Sequence, residues 1–216
     1  MVFIVIVLVL ALLGAGLWGV YFSTALVTKR VNVVGTHKLT RTQVSLAAQV
    51  PLGVPLVRQD LDVIAARTTT LPAIESAAVT RDWPSTITVT VVERRPVLAV
   101  RQSGGYVVVD KYGVAYQTQP SLPPEVVLAE VNSGDASLLS ELAIVAAALP
   151  HKLRGKVDRI TAGSRDSIAL VLKSGRMVTW GSSSDSELKA QVTGALLKQK
   201  PKSSIDVSSP HNPTTR

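Results

Sequence analysis

The sequence predicts an α+β chain: an N-terminal transmembrane helix, a domain of order β-α-α-β-β, then a mainly antiparallel β domain with two helices. Three observations predict it. Residues 2–22, "VFIVIVLVLALLGAGLWGVYF", carry no charge. The stretch "RDWPSTITVTVVERRPV" alternates β-branched residues with a period of two, the mark of a strand with one buried and one wet face. Beyond it, short strand-like runs recur between turn residues, and two longer stretches repeat apolar residues at helical spacing.

The uncharged run comes first. Twenty-one residues at a 1.5 Å rise cover about 30 Å, the thickness of a bilayer core. Trp18, Tyr21 and Phe22 sit near one end, where amphipathic rings favour the interface. A cleaved signal peptide would need a positive leading segment and a shorter apolar run. Only Met1 precedes the run here, so residues 1–28 read as an anchor and linker. Lys29 and Arg30 would by themselves hold the body in the cytoplasm. A basic tail ahead of Met1 would reverse that.

The chain has no cysteine, which excludes disulfides, thiol chemistry and zinc-thiolate or iron–sulfur sites. The net charge of +8 is uneven. Residues 150–216 hold twelve basic and five acidic side chains, while residues 99–149 hold two and five. No basic run has interleaved aromatics, so the charge reads as a solvated surface rather than a nucleic-acid footprint.

The first domain is expected over 29–97. Val31, Val33 and Val34 form a short strand and Gly35 a turn. Thr40 and Gln43 match a capping box that opens a helix over 41–49, stopped by Pro51. Asp60 caps a second helix with Leu61, Ile64 and Ala65 on one face. "AIESAAVTR" is a strand, Trp83-Pro84 forces a turn, and the strand over 86–93 pairs back. Helices on one face of this sheet would bury Ile87, Val89 and Val91 and leave the threonines wet.

The second domain is expected over 98–209. "YVVVDKYGVAYQT" is a hairpin turning at Asp110 and Gly113. "PEVVLAEV" is a strand, and residues 137–149 form a helix. "KVDRITAG", "SIALVLK" and "RMVTWG" are three further strands. Ser184 and Glu187 form a second capping box, opening a helix that carries Leu188, Val192 and Leu196. "SSIDVSS" is the last strand, with Ile205 and Val207 on one face. The tail over 210–216, "PHNPTTR", is expected to be disordered.

Two fragments imitate an enzyme. Ser186 and Lys189 fit S-x-x-K, and Lys173-Ser174-Gly175 fits the K-[ST]-G of penicillin-binding enzymes. Their order is reversed, no S-D-N lies between them, and the chain is too short for that fold. His37, His151 and His211 have no metal-ligand spacing. No phosphate loop or dinucleotide fingerprint is present. The expectation is a non-enzymatic scaffold with no cofactor and no metal.

The order of elements behind a single anchor resembles the FtsQ/DivIB family of bacterial cell-division proteins, of the actinobacterial type. "VVGTHKLT", the run from Pro51 to Val97, "GYVVVDKYGVAY", "LPHKLRGKVDRI", "IALVLKSGRMVTWG" and "SIDVSSPHNP" carry the resemblance. It implies a POTRA domain followed by the family's β domain, both outside the cytoplasmic membrane at the septum. It implies FtsB- and FtsL-like single-pass partners and a part in controlling septal peptidoglycan synthesis. It also implies that a partner segment adds as a strand to the last β-strand, here Ser204, Ile205, Asp206, Val207, Ser208 and Ser209. Arg165 is a weaker candidate, for an acidic partner residue. The polar "HNPTTR" departs from the family's apolar continuation. A POTRA-bearing translocation or assembly factor, or a cell-wall-binding protein, are the alternatives.

Overall fold

The computed structural model describes residues 2–22, 24–124, 126–131, 135–199 and 204–215. The uncharged run forms one continuous helix, α1, Val2–Phe22. Among the described residues, no helix is long and apolar enough to cross a membrane. The chain divides into two compact units, Met1–Arg94 and Arg95–Arg216.

In the first unit, β1 (Arg30–Val34), α2 (Arg41–Ala48), α3 (Leu61–Thr68), β2 (Ile74–Asp82) and β3 (Thr86–Glu93) follow in order. The sheet order is β1-β3-β2. β2 pairs antiparallel with β3, and β1 pairs parallel with it. The capping box forms as expected: the Gln43 N–H donates to Thr40 Oγ1 at 3.2 Å, and the Thr40 N–H donates to Gln43 Oε1 at 2.8 Å. Asp60 accepts from the Val63 N–H at 3.1 Å. The helices cover one face, burying Ile87, Val89 and Val91 with Val33, Val44 and Ile64.

Thr88 corrects the expectation that the threonines stay wet. It is buried, and its hydroxyl donates to the Asp82 carboxylate. β3 is the central strand, so neighbours on both sides shield its outer face at this position.

One carboxylate ties the unit together. Glu93 ends β3 and accepts from the N–H groups of His37 (2.8 Å), Lys38 (2.9 Å) and Leu39 (2.9 Å). These amides belong to the loop that leads into α2. The loop leaves β1 through Gly35, whose φ of +90° lies in the left-handed region. A Cβ there would stand 2.1 Å from the Val91 carbonyl oxygen, so only glycine fits. Partial burial raises the Glu93 pKa, but the three N–H groups and nearby His37 outweigh it and hold the carboxyl below its ordinary value.

Among its described residues the second unit has nine strands: β4 (Pro96–Gln102), β5 (Gly105–Asp110), β6 (Ala115–Gln119), β7 (Val127–Glu130), β8 (Val157–Ala162), β9 (Ile168–Leu172), β10 (Met177–Gly181), β11 (Ser204–Asp206) and β12 (Thr214–Thr215). α4 (Ala136–Ala148) and the short α5 (His151–Arg154) lie between β7 and β8, and α6 (Ser186–Leu196) between β10 and β11. The strands form one sheet, order β12-β11-β10-β9-β8-β7-β4-β5-β6. β4–β7, β7–β8 and β10–β11 are parallel, and the other pairs antiparallel. α4, α5 and α6 contribute Leu142, Leu153 and Ala190 to the same core as Leu170, Trp180 and Ile205.

Three expectations change here. β4 begins at Pro96, where only an interdomain passage is expected. A proline suits the first residue of a strand, which need not donate to the ladder. The capping box at Ser184 and Glu187 does not form. Asp185 is the N-cap, at φ 53°, and makes no side-chain cap bond. The first helical residue, Ser186, accepts at its Oγ from the buried Trp180 indole N–H at 3.1 Å and donates to the Ser183 carbonyl at 2.6 Å. The tail is ordered through residue 215, because it turns back and pairs as β12.

Glu93 generates a prediction. Its lowered pKa stabilises the fold fully above the ordinary glutamate value of about 4.3, and that contribution fades as pH falls through this value toward the folded one. Glu93→Gln should destabilise the first unit by about 1–3 kcal/mol at neutral pH. The gap from wild type should shrink in acid. Hydrogen exchange of the unit's core amides measures both, and a gap that does not depend on pH would show that the carboxylate's charge is immaterial.

Candidate functional site

The candidate site lies at the β11 end of the nine-stranded sheet. Ile205 and Val207 are fully buried, as their spacing predicts. β11 runs parallel to β10, with Ser204 opposite Met177, Ile205 opposite Val178 and Asp206 opposite Thr179. The Val207 N–H continues the ladder, donating to the Thr179 carbonyl at 2.9 Å. One side of the strand is therefore fully engaged.

The other side is not an open edge. β12 lies along it, with Thr215 opposite Ile205 and Thr214 opposite Asp206. The turn between them is built from side chains as well as backbone. Asp206 Oδ1 accepts from the Ser208 N–H at 2.9 Å and from the Ser208 hydroxyl at 2.7 Å. The Asn212 N–H then donates to the Ser209 carbonyl at 3.0 Å. This is the side-chain-to-backbone chemistry that favours aspartate and serine in turns. Of the six expected edge residues, Ser204, Ile205 and Asp206 form the strand, Val207 adds one further bond to β10, and Ser208 and Ser209 lead into the turn. The Ser208 N–H is taken by the turn and offers nothing to an incoming strand.

Arg165 is drawn to the same end of the sheet. It lies in the loop between β8 and β9, next to Asp166. Gly181, the last residue of β10, sits between that loop and the turn after β11. A Cβ on Gly181 would stand 3.0 Å from Ser208 Cβ and 3.9 Å from the Asp166 carbonyl oxygen. Its φ is +76°, again in the left-handed region. The glycine thus lets the two loops close over the sheet end. Arg165 also faces the start of α4. Ser137 holds the Asp135 carboxyl below its ordinary value through its hydroxyl and its N–H, and the positive charge of Arg165 adds to this.

The enzyme-like residues are engaged in structure. Lys189 is buried, its ammonium donating to the Ser182 carbonyl at 2.9 Å. Burial lowers its pKa, and Asp185 opposes the shift. Ser186 is held between Trp180 and Ser183, as above. Lys173-Ser174-Gly175 is the turn joining β9 to β10, closed by the Gly175 N–H donating to the Leu172 carbonyl at 2.8 Å. Among the described residues, no group of three or more His, Asp or Glu side chains could hold a metal ion.

The sequence reading misses Thr214 and Thr215, which cover the edge, and Gly181, which shapes it. Two β-branched residues behind the turn-forming "SSPHNP" are the available signal for β12, too short to stand out in a polar tail.

Comparison with known proteins covers both units. Residues 27–94 match the family model of the FtsQ-type POTRA domain, and residues 99–208 match that of the C-terminal domain of cell division protein FtsQ/DivIB. Cell division protein FtsQ of Streptomyces venezuelae is 40% identical over 218 residues, covering 96% of this chain and 80% of that protein. FtsQ of Streptomyces griseus is 38% identical, covering 88% of this chain and 97% of that one. FtsQ of Mycobacterium tuberculosis H37Rv is 37% identical, covering 96% and 67%. The major extracytoplasmic domain of DivIB from Geobacillus stearothermophilus overlaps 51% of the chain and 98% of that domain, at 17% identity and a TM-score of 0.37. That likeness is too slight to add to the sequence matches. On those matches, which span both units almost end to end, the chain belongs to the FtsQ/DivIB family of cell division proteins.

Proposed function

We propose that the chain is a non-enzymatic divisome scaffold, a single-pass membrane protein whose two units lie outside the cytoplasmic membrane. α1 is the anchor: an uncharged helix of 21 residues suits a bilayer core and has no comparable place in water. The partners are FtsB- and FtsL-like single-pass proteins, and the consequence of binding is regulation of septal peptidoglycan synthesis. Membership of the family supports this reading.

The observation that carries the contact is the thin cover on β11. Its inner side is held by β10 and two fully buried side chains, while its outer side is held by two residues of β12. A two-residue ladder supplies one or two backbone hydrogen bonds, each about 0.5–1.5 kcal/mol net. A longer partner strand replaces that with more bonds of the same kind, so displacement of β12 is favourable. Residues 204–209 then become the docking edge once the turn held by Asp206 opens. Arg165, at the same end of the sheet, is placed to meet an acidic partner residue.

Partner binding to the full chain, measured by calorimetry, tests this. Replacing Thr214 and Thr215 together by proline should release β12 and tighten binding several-fold. Truncation after Lys202, which lies outside the described residues, should abolish binding while circular dichroism shows the first unit still folded. A truncated chain that folds and binds the FtsB-like partner as tightly as the whole one would place the contact elsewhere. For the topology, a phosphatase reporter fused after Arg216 should be active. Activity only from a cytoplasmic reporter would overturn the orientation.

A further inference from the structure

We infer that the outer edge of β1 in the first unit is a second strand-accepting site, and that it takes an acidic, extended segment of a partner protein. Among the described residues, β1 pairs with β3 on one side and with no strand on the other. The chain just before β1 shows how this side accepts backbone. The Thr28 N–H donates to the Val54 carbonyl at 2.8 Å, and the Gly53 N–H donates to the Thr28 carbonyl at 2.9 Å. Val27 bridges Pro55 in the antiparallel sense. This short internal pairing ends where β1 begins, and beyond it five residues, Arg30–Val34, present an unfilled edge.

The edge opens onto a groove. α2 lies beside β1, and Asn32, Arg41, Thr42, Ser45 and Leu46 line the space between them. Leu46 is 70% exposed, unusual for leucine on a helix whose other face packs in the core. A strand laid along β1 would set alternate side chains into this groove, with Leu46 as the apolar contact. β2 is the opposite edge of the sheet. The Arg81 guanidinium there donates to the Leu56 and Gln59 carbonyls, both at 2.7 Å, and holds that connecting segment against the strand.

Charge selects the occupant. β1 and α2 contain Arg30 and Arg41 and no carboxylate. Lys29 and Lys38 flank them in the chain. Glu93, at the end of β3, is turned onto the amides of His37, Lys38 and Leu39. Arg41 is the charged side chain among those lining the groove, and a segment alternating small apolar with acidic residues satisfies both the edge and Arg41. A second copy of the chain would bring Arg30 and Arg41 against their own kind, which disfavours pairing of β1 with β1.

The test uses the full chain in detergent and a fluorescent seven-residue peptide, Thr-Val-Glu-Val-Thr-Val-Asp. The expected result is binding by anisotropy, weakened at higher salt, with slowed hydrogen exchange confined to β1. Methylating alternate peptide nitrogens leaves the protein untouched and should abolish binding. Arg41→Glu, on an exposed position, should weaken it at least fivefold, and Leu46→Ser should weaken it as well. No binding, equal binding of the methylated peptide, equal binding by Arg41→Glu, or protection outside β1 would each overturn the proposal. So would self-association that the peptide cannot displace.

Discussion

The candidate site depends on the burial of Ile205 and Val207. Both side chains are wholly removed from solvent, each worth about 1.5–3 kcal/mol of apolar burial. They anchor a strand of only three residues, parallel to β10, that backbone hydrogen bonds alone would hold weakly. Everything beyond follows from that anchor. The Asp206 turn leaves the strand at a fixed point, Gly181 makes room for it, and the β8–β9 loop with Arg165 closes from the other side. The candidate edge thus has a firmly held inner half and a lightly held outer half. Such an arrangement suits a scaffold, because a displaced outer strand leaves the core intact.

Both units end their sheets in ways that leave backbone within reach. In the second unit the end is covered by two residues of β12. In the first, the loop before β1 is covered by Gly53 and Val54, and among the described residues no strand covers β1 itself. An uncovered edge is ordinarily an aggregation hazard, and cationic side chains beside it are one of the devices that limit self-pairing. Arg30 and Arg41 serve that purpose for β1, and the same charges define which foreign strand fits. Glu93 contributes from a distance: by holding the loop ahead of α2, it fixes the helix that forms the other wall of the groove.

Much of this was legible in the residues themselves. Thr40 with Gln43 and Asp60 with Val63 are contacts within one helical turn, so the sequence contains both partners side by side. The alternation at 86–91 and the spacing of Ile205 and Val207 report which side chains turn inward, because the period of a strand does not depend on its neighbours. The second capping box failed for a non-local reason. α6 begins one residue later than that box requires, behind Asp185 as N-cap, and its first residue, Ser186, is engaged by the buried Trp180 indole N–H, a demand that no rule of local spacing registers.

The sequence by itself determined the order of elements in the first unit, the uncharged helix and the inward faces, all properties of short stretches. Tertiary structure alone decided that β3 is central and buries Thr88, that β10 and β11 run parallel, and that Thr214 and Thr215 cover the expected edge. Whether an edge is free depends on what else in the chain reaches it. That is settled by loop closure and by competition among backbone donors and acceptors far apart in sequence, where a two-residue strand carries almost no pattern of its own.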